Sequence, residues 1–277
     1  MRLDSNMEKQ QCALIIATYN WPEALALCLK SVLAQTVLPG EIIIADDGST
    51  AQTKSVIDSY RKLTNVPIIH LWHKDEGFRK TIILNEAIRA ANYEYIIQID
   101  GDIIIDSYFI QSHVETARQG VFIRGSRTLI NKKATEKLLK NNSIDVHFFS
   151  KGLANRMNSL PSGFLSAFHK IITKSGYTNG VIGCNFSYWK KDVVAVNGYS
   201  NDITGWGQED SELGARLINN GIAKRNLKYK AICFHLFHTH FSRDRDAMNK
   251  QMLDKTIANK IVQCANGYSN VHPVDHL

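Results

Sequence analysis

Paired cysteines are missing from this chain: Cys12, Cys28, Cys184, Cys233 and Cys264 are odd in number and none forms a Cys-x-x-Cys spacing. That argues against a disulfide framework and against a cysteine-ligated zinc site, and it predicts reduced thiols in a cytoplasmic protein. Long apolar runs are missing too. No window reaches the roughly 18 apolar residues of a membrane span, and the polar start MRLDSNMEKQ leads toward a strand without a signal-peptide core. Neither G-x-x-x-x-G-K-[ST] nor a G-x-G-x-x-G after the first strand occurs, so phosphate-loop ATP hydrolysis and dinucleotide redox chemistry have little support. A zinc-finger pattern and a code of interleaved aromatics are also absent, and no nucleic-acid partner is expected.

What is present is apolar content, 44% of 277 residues, sufficient for one large core or two small ones. The net charge of +7 is unevenly placed. Between Arg124 and Lys191 stand twelve Lys or Arg against Glu136 and Asp145, an excess of ten that leaves −3 for the rest of the chain. Charge concentrated in this way suits anionic lipid headgroups, a phosphorylated substrate or nucleic acid, and equally a solvated surface.

From Ala13 to about Gln119, strand-like runs alternate with amphipathic helical ones: CALIIATYN, PEALALCLKSVLAQ, EIIIADDGS, TAQTKSVIDSYRKL, VPIIHLW, KTIILNEAIRAA and YEYIIQID. This is the pattern of βαβ units, and it predicts an α/β protein whose mostly parallel sheet carries helices on both faces. Three segments are expected within one continuous unit: a nucleotide-binding βα half over 1–123, a basic and partly helical insertion over 124–180, and an acceptor-side half over 181–277. Helices are expected around NKKATEKLLK and GFLSAFHKIITK, and in the polar tail after Asp244. The C-terminal SNVHPVDHL reads as a loose end.

Ligands of such sheets sit beyond the carboxyl ends of the strands, and those ends are polar here. The first runs into Thr18, Tyr19 and Asn20, where Asn20 is a candidate helix cap ahead of Pro22 and Glu23. Tyr19 suits packing or a face laid against a nucleobase. The second ends in Asp46 and Asp47, with Ser49 or Thr50 to cap the next helix; turn chemistry explains all but the doubled acid. The third ends in Asp100-Gly101-Asp102. With a period near two, both carboxylates leave the strand end on one side, and Gly101 allows a close backbone approach. Two hard oxygen ligands suit Mg²⁺ or Mn²⁺ on a diphosphate. A calcium loop would need an oxygen ligand at Ile104 and a glycine at Ile105. Further on, Gly205 and Gly207 flank Trp206 just before Glu209 and Asp210. The acids match a helix N-terminus, and the indole suits the C–H face of a sugar. His235, His238 and His240 then offer imidazoles at a strand end.

Together ATYNWPEALALCLKSVLAQ, IIIADDGST, DEGFRKTIILNEAI, IQIDGD, GCNFSYWKKDVVAVNGYS and GWGQED, in this order, resemble a bacterial family 2 glycosyltransferase of the GT-A fold. The C-terminal portion is similar to that of β-1,4-galactosyltransferases and chondroitin polymerases. The resemblance covers most of residues 12–240 and leaves the basic stretch 129–177 unexplained. It implies a nucleotide-sugar donor, most often UDP-linked, and Mn²⁺ or Mg²⁺. Carried over, Thr18, Tyr19 and Asp47 would hold the uridine, with Glu23 nearby. Arg79, Asn85 and Asn185 would face the donor, and Asp100, Gly101 and Asp102 would be the D-x-D segment on ribose and metal. His235 or His238 would join Asp102 as metal ligand. Trp206, Gly207 and Glu209 would meet the acceptor, and Asp210 would be the base. Gln208 stands where the family usually carries a second glycine.

The resemblance implies inverting transfer to a hydroxyl of a saccharide or lipid-linked saccharide, in capsule, O-antigen or lipopolysaccharide synthesis, and the basic segment is expected to bring a cytoplasmic enzyme into peripheral contact with anionic membrane. A nucleotidyltransferase would need a glycine-rich loop that ATYNWPE lacks. A non-catalytic nucleotide- or glycan-binding module would have little use for both acid pairs.

Overall fold

The computed structural model describes residues 11–168, 172–173, 176–177, 180–239, 243–271 and 275–277. His240 lies outside them. The amino-terminal half alternates as its periodicity demands: β1 (Ala13–Thr18), α1 (Pro22–Leu33), β2 (Glu41–Asp46), α2 (Ala51–Arg61), β3 (Ile68–Trp72), α3 (Lys80–Ala90) and β4 (Tyr95–Asp100). Then come β5 (Ile103–Ile105), α4 (Phe109–Thr116), β6 (Val121–Arg124), β7 (Thr128–Ile130), α5 (Lys132–Lys140), β8 (Leu153–Ala154), α6 (Gly163–Phe168) and β9 (Ile172–Thr173). The carboxyl-terminal part adds β10 (Phe186–Trp189), α7 (Lys190–Ala195), α8 (Glu209–Asn219), β11 (Ala223–Asn226), β12 (Cys233–His235), α9 (Asp246–Ala258) and β13 (Asp275–His276).

Nine strands form the main sheet in the order β13-β3-β2-β1-β4-β10-β6-β11-β9. Six of the nine run one way; β13, β10 and β9 oppose them. Because successive side chains leave opposite faces, the central strands split their apolar residues between two cores. Leu14, Ile16, Ile42, Ile44, Ile97 and Ile99 pack with α1, α2 and α4 on one face. Ala13, Ile15, Ile43, Ala45 and Ile96 pack with α3, α7 and α8 on the other. Strands buried on both faces read as unbroken apolar runs, and each fully buried isoleucine contributes about 1.5–3 kcal/mol.

A second sheet, β5-β12-β7-β8, stands beyond the carboxyl end of β4. Ile104, Ile130, Phe234 and Leu236 join Ala24 and Leu27 of α1 and Leu138 of α5 in a third apolar cluster beneath it. This small sheet carries the basic insertion and fixes it to the body. Strand β10, from the last third of the chain, lies between β4 and β6, so the main sheet runs without a break across the expected segments.

The local signals held in part. Asn131 caps α5 by accepting from the Ala134 N–H (3.0 Å), and α9 forms in the polar tail. The helix expected over 163–174 spans Gly163–Phe168, and Ile172–Thr173 pairs with β11 instead. Asn20 does not cap α1. It takes φ +45°, and its side chain accepts from the Thr50 N–H (2.9 Å) at the head of α2. A short polar side chain tolerates that conformation, and here it ties the ends of β1 and β2 together.

Candidate active site

The site grows from the end of β4. Gly101 N–H donates to the Ala17 carbonyl at 2.7 Å, and a Cβ on Gly101 would stand 3.0 Å from Thr18 Oγ1. The glycine therefore lets the chain turn tightly against the end of β1. It emerges as β5, which pairs antiparallel with β12 in a register that opposes Ile103 to His235. That register brings the histidines to the acid. Asp102 Oδ2 lies 3.5 Å from His235 Nε2 and 3.4 Å from His238 Nε2, and the three ligand atoms fall within 4.8 Å of one another.

The donor set fits a divalent cation. His235 Nδ1 faces the Leu236 carbonyl at 2.8 Å and His238 Nδ1 the Thr239 carbonyl at 3.0 Å. A carbonyl only accepts, so each Nδ1 carries a hydrogen, and each Nε2 is left facing Asp102 as the ring atom that would bind a cation. Asp102 Oδ1 is buried without a hydrogen-bond partner, a costly arrangement for an oxygen that a cation would satisfy. Burial raises the Asp102 carboxyl above its ordinary range; the two histidines oppose the shift and Asp100 adds to it.

A second acid pair faces the first. Glu209 and Asp210 open α8. Asp210 Oδ2 accepts from the Gly183 N–H at 2.7 Å, and its Oδ1 accepts from the Tyr199 hydroxyl at 3.1 Å. A Cβ on Gly183 would stand 2.5 Å from either Asp210 oxygen, so only glycine leaves room for this carboxylate. Between the pairs lies Lys80, the first residue of α3. Its Nζ is 2.7 Å from Asp100 Oδ1 and 3.9 Å from Glu209 Oε1. Burial disfavours the ammonium, but Asp100, Asp210 and Glu209 more than compensate and hold it charged. Lys80 in turn outweighs burial at Asp100 and depresses that carboxyl. Glu209 goes the other way: burial, then the charge of Asp210, pushes it up to about 7 against the pull of Lys80. Burial raises Asp210 as well.

The loop before α8 is held from outside. Gly205, Gly207 and Gln208 all have positive φ, +71° at Gln208, so the glutamine keeps a conformation that favours glycine. Its Nε2 donates to Asp246 Oδ1 (3.1 Å), and Asn249 Nδ2 donates to the carbonyls of Thr204 and Gly207 (3.1 Å each). The Arg243 guanidinium lies over the Trp206 ring at 5.0 Å.

At the ends of β1 and β2, Tyr19 is partly exposed and its hydroxyl donates to Asp75 at 2.8 Å. Asp47 accepts from the Arg79 N–H (3.0 Å) and meets His73 Nε2 (2.7 Å), while Asp46 meets buried His70 (2.8 Å). Arg79 reaches Glu76 (2.8 Å) and the Lys74 carbonyl, and Glu23 is exposed in the first turn of α1. The two asparagines are placed differently. Asn85 is wholly buried, donates to the Tyr199 carbonyl and Asn201 Oδ1 (2.9 Å each), and accepts from the Tyr199 N–H (2.8 Å). Asn185, equally buried, donates to the carbonyls of Ser126 (2.8 Å) and Ala231 (2.9 Å) and meets His113 (3.0 Å). Both amides are spent on partners inside the protein. Sequence reasoning passed over Lys80, Gly183 and Tyr199; only Lys80, beside Arg79, had a signal, as a cation next to a residue already singled out.

The family description "Glycosyl transferase family 2" matches residues 13–193, and "N-terminal domain of galactosyltransferase" matches residues 163–239. Chondroitin synthase of Escherichia coli is 25% identical over 80% of this chain, which spans 34% of that relative's length. Among solved structures, S. aureus TarS 1-349 in complex with UDP-GlcNAc has a TM-score of 0.61 at 17% identity, over 91% of this chain and 70% of that one. The mannosyltransferase PcManGT from Pyrobaculum calidifontis, in complex with GDP-Man and Mn²⁺, has a TM-score of 0.55 at 14% identity, over 83% and 57%. The shared fold is GT-A.

Proposed function

The chain belongs to glycosyl transferase family 2, and from that premise we propose that it moves a sugar from a UDP-sugar to a saccharide hydroxyl with inversion. The observation that carries this reading is the convergence of Asp100, Asp102, His235 and His238 with Glu209 and Asp210 across Lys80 in one crevice. Asp210 takes the proton of the acceptor hydroxyl as that oxygen bonds to the anomeric carbon from the face opposite the diphosphate, whose bond to the same carbon breaks. The Gly183 N–H and the Tyr199 hydroxyl hold Asp210 in one orientation. Glu209 and Trp206 meet the acceptor, and Thr18, Tyr19, Asp47 and Arg79 border the nucleoside end.

Asp102, His235 and His238 would hold Mn²⁺ or Mg²⁺, which when bound supplies positive charge against the departing diphosphate. Solved relatives of the same fold include one in complex with UDP-GlcNAc and one with GDP-Man and Mn²⁺. The acceptor is a saccharide or lipid-linked saccharide of a capsule, O-antigen or lipopolysaccharide pathway, and the enzyme works peripherally at the cytoplasmic face of a membrane. No helix among the described residues is long and apolar enough to cross one.

A thermal-shift series with UDP-, GDP- and TDP-sugars in Mn²⁺ tests the donor and metal assignments. At a hundred times Kd a ligand stabilises the native state by about 2.7 kcal/mol, roughly 5 °C for a chain of this length. UDP compounds should give that shift, and Asp102→Ala should abolish it. An undiminished shift in the variant would remove Asp102 from the donor site.

A further inference from the structure

Helix α5 lays Lys133, Lys137 and Lys140 along one exposed stripe, at the i, i+4, i+7 spacing that aligns side chains on a helix face. Its opposite face buries Thr135 and Leu138. The loop 147–152 abuts the first turn of this helix: the Asn131 N–H donates to the Gly152 carbonyl at 2.8 Å, and Gly152 packs against Ala134. In that loop Phe149 is 80% exposed, with Lys151 two residues on. On the side toward the active site, the Phe237 N–H donates to Thr135 Oγ1 at 2.9 Å. Phe237, itself 42% exposed, precedes His238 of the metal cluster.

We propose that α5 and the Phe149 loop form a docking surface for an anionic lipid bilayer, with the lysine stripe on the headgroups and Phe149 inserted at the interface. The proposal rests on the peripheral placement put forward above and adds the surface that makes it. An aromatic ring left in water beside a row of ammonium groups suits the boundary between headgroups and acyl chains, where each part finds its own partner. Glu136 and Asp145 are the only acids between Asn131 and Gly152, against five lysines, so the local field stays positive. The hydrogen bond from Phe237 to Thr135 ties the buried face of α5, behind the lysine stripe, to the segment that carries His238. A lipid bilayer is favoured over a soluble polyanion because the latter would leave Phe149 without a function.

Sedimentation with vesicles reads binding without turnover, so its failure would leave the glycosyl-transfer reading untouched. The full chain should bind phosphatidylcholine vesicles containing phosphatidylglycerol at 0.15 M salt and ignore phosphatidylcholine alone. The triple variant Lys133→Gln, Lys137→Gln, Lys140→Gln should weaken that binding about 100-fold, taking each lysine near the surface at its usual worth. Phe149→Ser should weaken it about tenfold, and Lys250→Gln, an exposed lysine on α9, should leave it unchanged. All these positions are exposed, and matching melting curves would establish that the variants fold. Equal binding to neutral and anionic vesicles, or an undiminished triple variant, would overturn the proposal. So would binding to dextran sulfate with none to vesicles, which would identify a soluble polyanion as the partner.

Discussion

Glu209→Gln is expected to make this protein more stable at alkaline pH and a poorer catalyst. Burial and the neighbouring Asp210 push the Glu209 carboxyl from 4.5 to about 7 in the folded chain. The folded state therefore holds this proton more tightly than the unfolded state does. Below about pH 4.5 both states carry it and the site costs nothing. As the pH rises toward 7, the unfolded chain ionises first and folding stability falls, levelling off once the folded carboxyl has also ionised. A tenfold difference in proton affinity is worth about 1.4 kcal/mol, so the full loss is roughly 3 kcal/mol. Glutamine keeps the shape of the protonated acid and does not titrate.

The difference between variant and parent should accordingly be close to zero at pH 4 and grow to roughly 3 kcal/mol at pH 8, about 6 °C in Tm for a chain of this size. Urea unfolding in chelator, measured across that range, reads the site together with Asp210 and Lys80, whose charges are coupled to it. Parallel curves for the two would mean that Lys80, 3.9 Å from the carboxylate, neutralises the burial penalty, and the argument would fail. Transfer by the variant should show a raised acceptor KM if Glu209 meets that substrate.

Lys80→Met leaves Asp100 charged with its 2.7 Å partner gone. Breaking a buried pair from one side costs about 3–5 kcal/mol; the lower end is expected here, since the Lys80 and Asp100 side chains keep 15% and 25% exposure, and urea unfolding at pH 7 reads it. Gly183→Ala should drive a methyl group into the Asp210 carboxylate, costing about 1–3 kcal/mol and most of the turnover, whereas Gly163→Ala, with nothing within 4 Å, should be silent in both assays. Gln208→Gly should relieve a left-handed conformation worth about 1–2 kcal/mol at the expense of the Asp246 hydrogen bond and of a more flexible unfolded chain. A net gain below about 1 kcal/mol in denaturant midpoint is expected, and a clear loss would show that the Asp246 bond outweighs the strain.

The parallel half of the sheet and both acid pairs were legible because each is a local statement. Apolar runs of strand length alternate with helical periods, one acid pair closes such a run where neutral turn residues would suffice, and the other opens a helix behind a Gly-Trp-Gly turn. The histidine cluster was legible only as a choice between His235 and His238, because what selects them is the β5–β12 register, a pairing of segments far apart in sequence. The structure brings both rings to Asp102. Lys80 escaped notice for a related reason. A lysine at the head of an amphipathic helix reads as solvated until packing sets that helix end between two pairs of acids, and nothing within α3 says that it will.

Asn85 and Asn185 show the converse. Their polarity inside sequence motifs pointed to a ligand, yet each spends its amide on backbone from a distant loop. Burying an amide is tolerable only when its hydrogen-bonding groups are met, and a loop crossing beneath a binding site offers such partners as readily as a substrate does. Asn85 fixes the backbone of Tyr199, whose hydroxyl holds Asp210, and two hydrogen bonds thus join a motif asparagine to an acid at the head of α8.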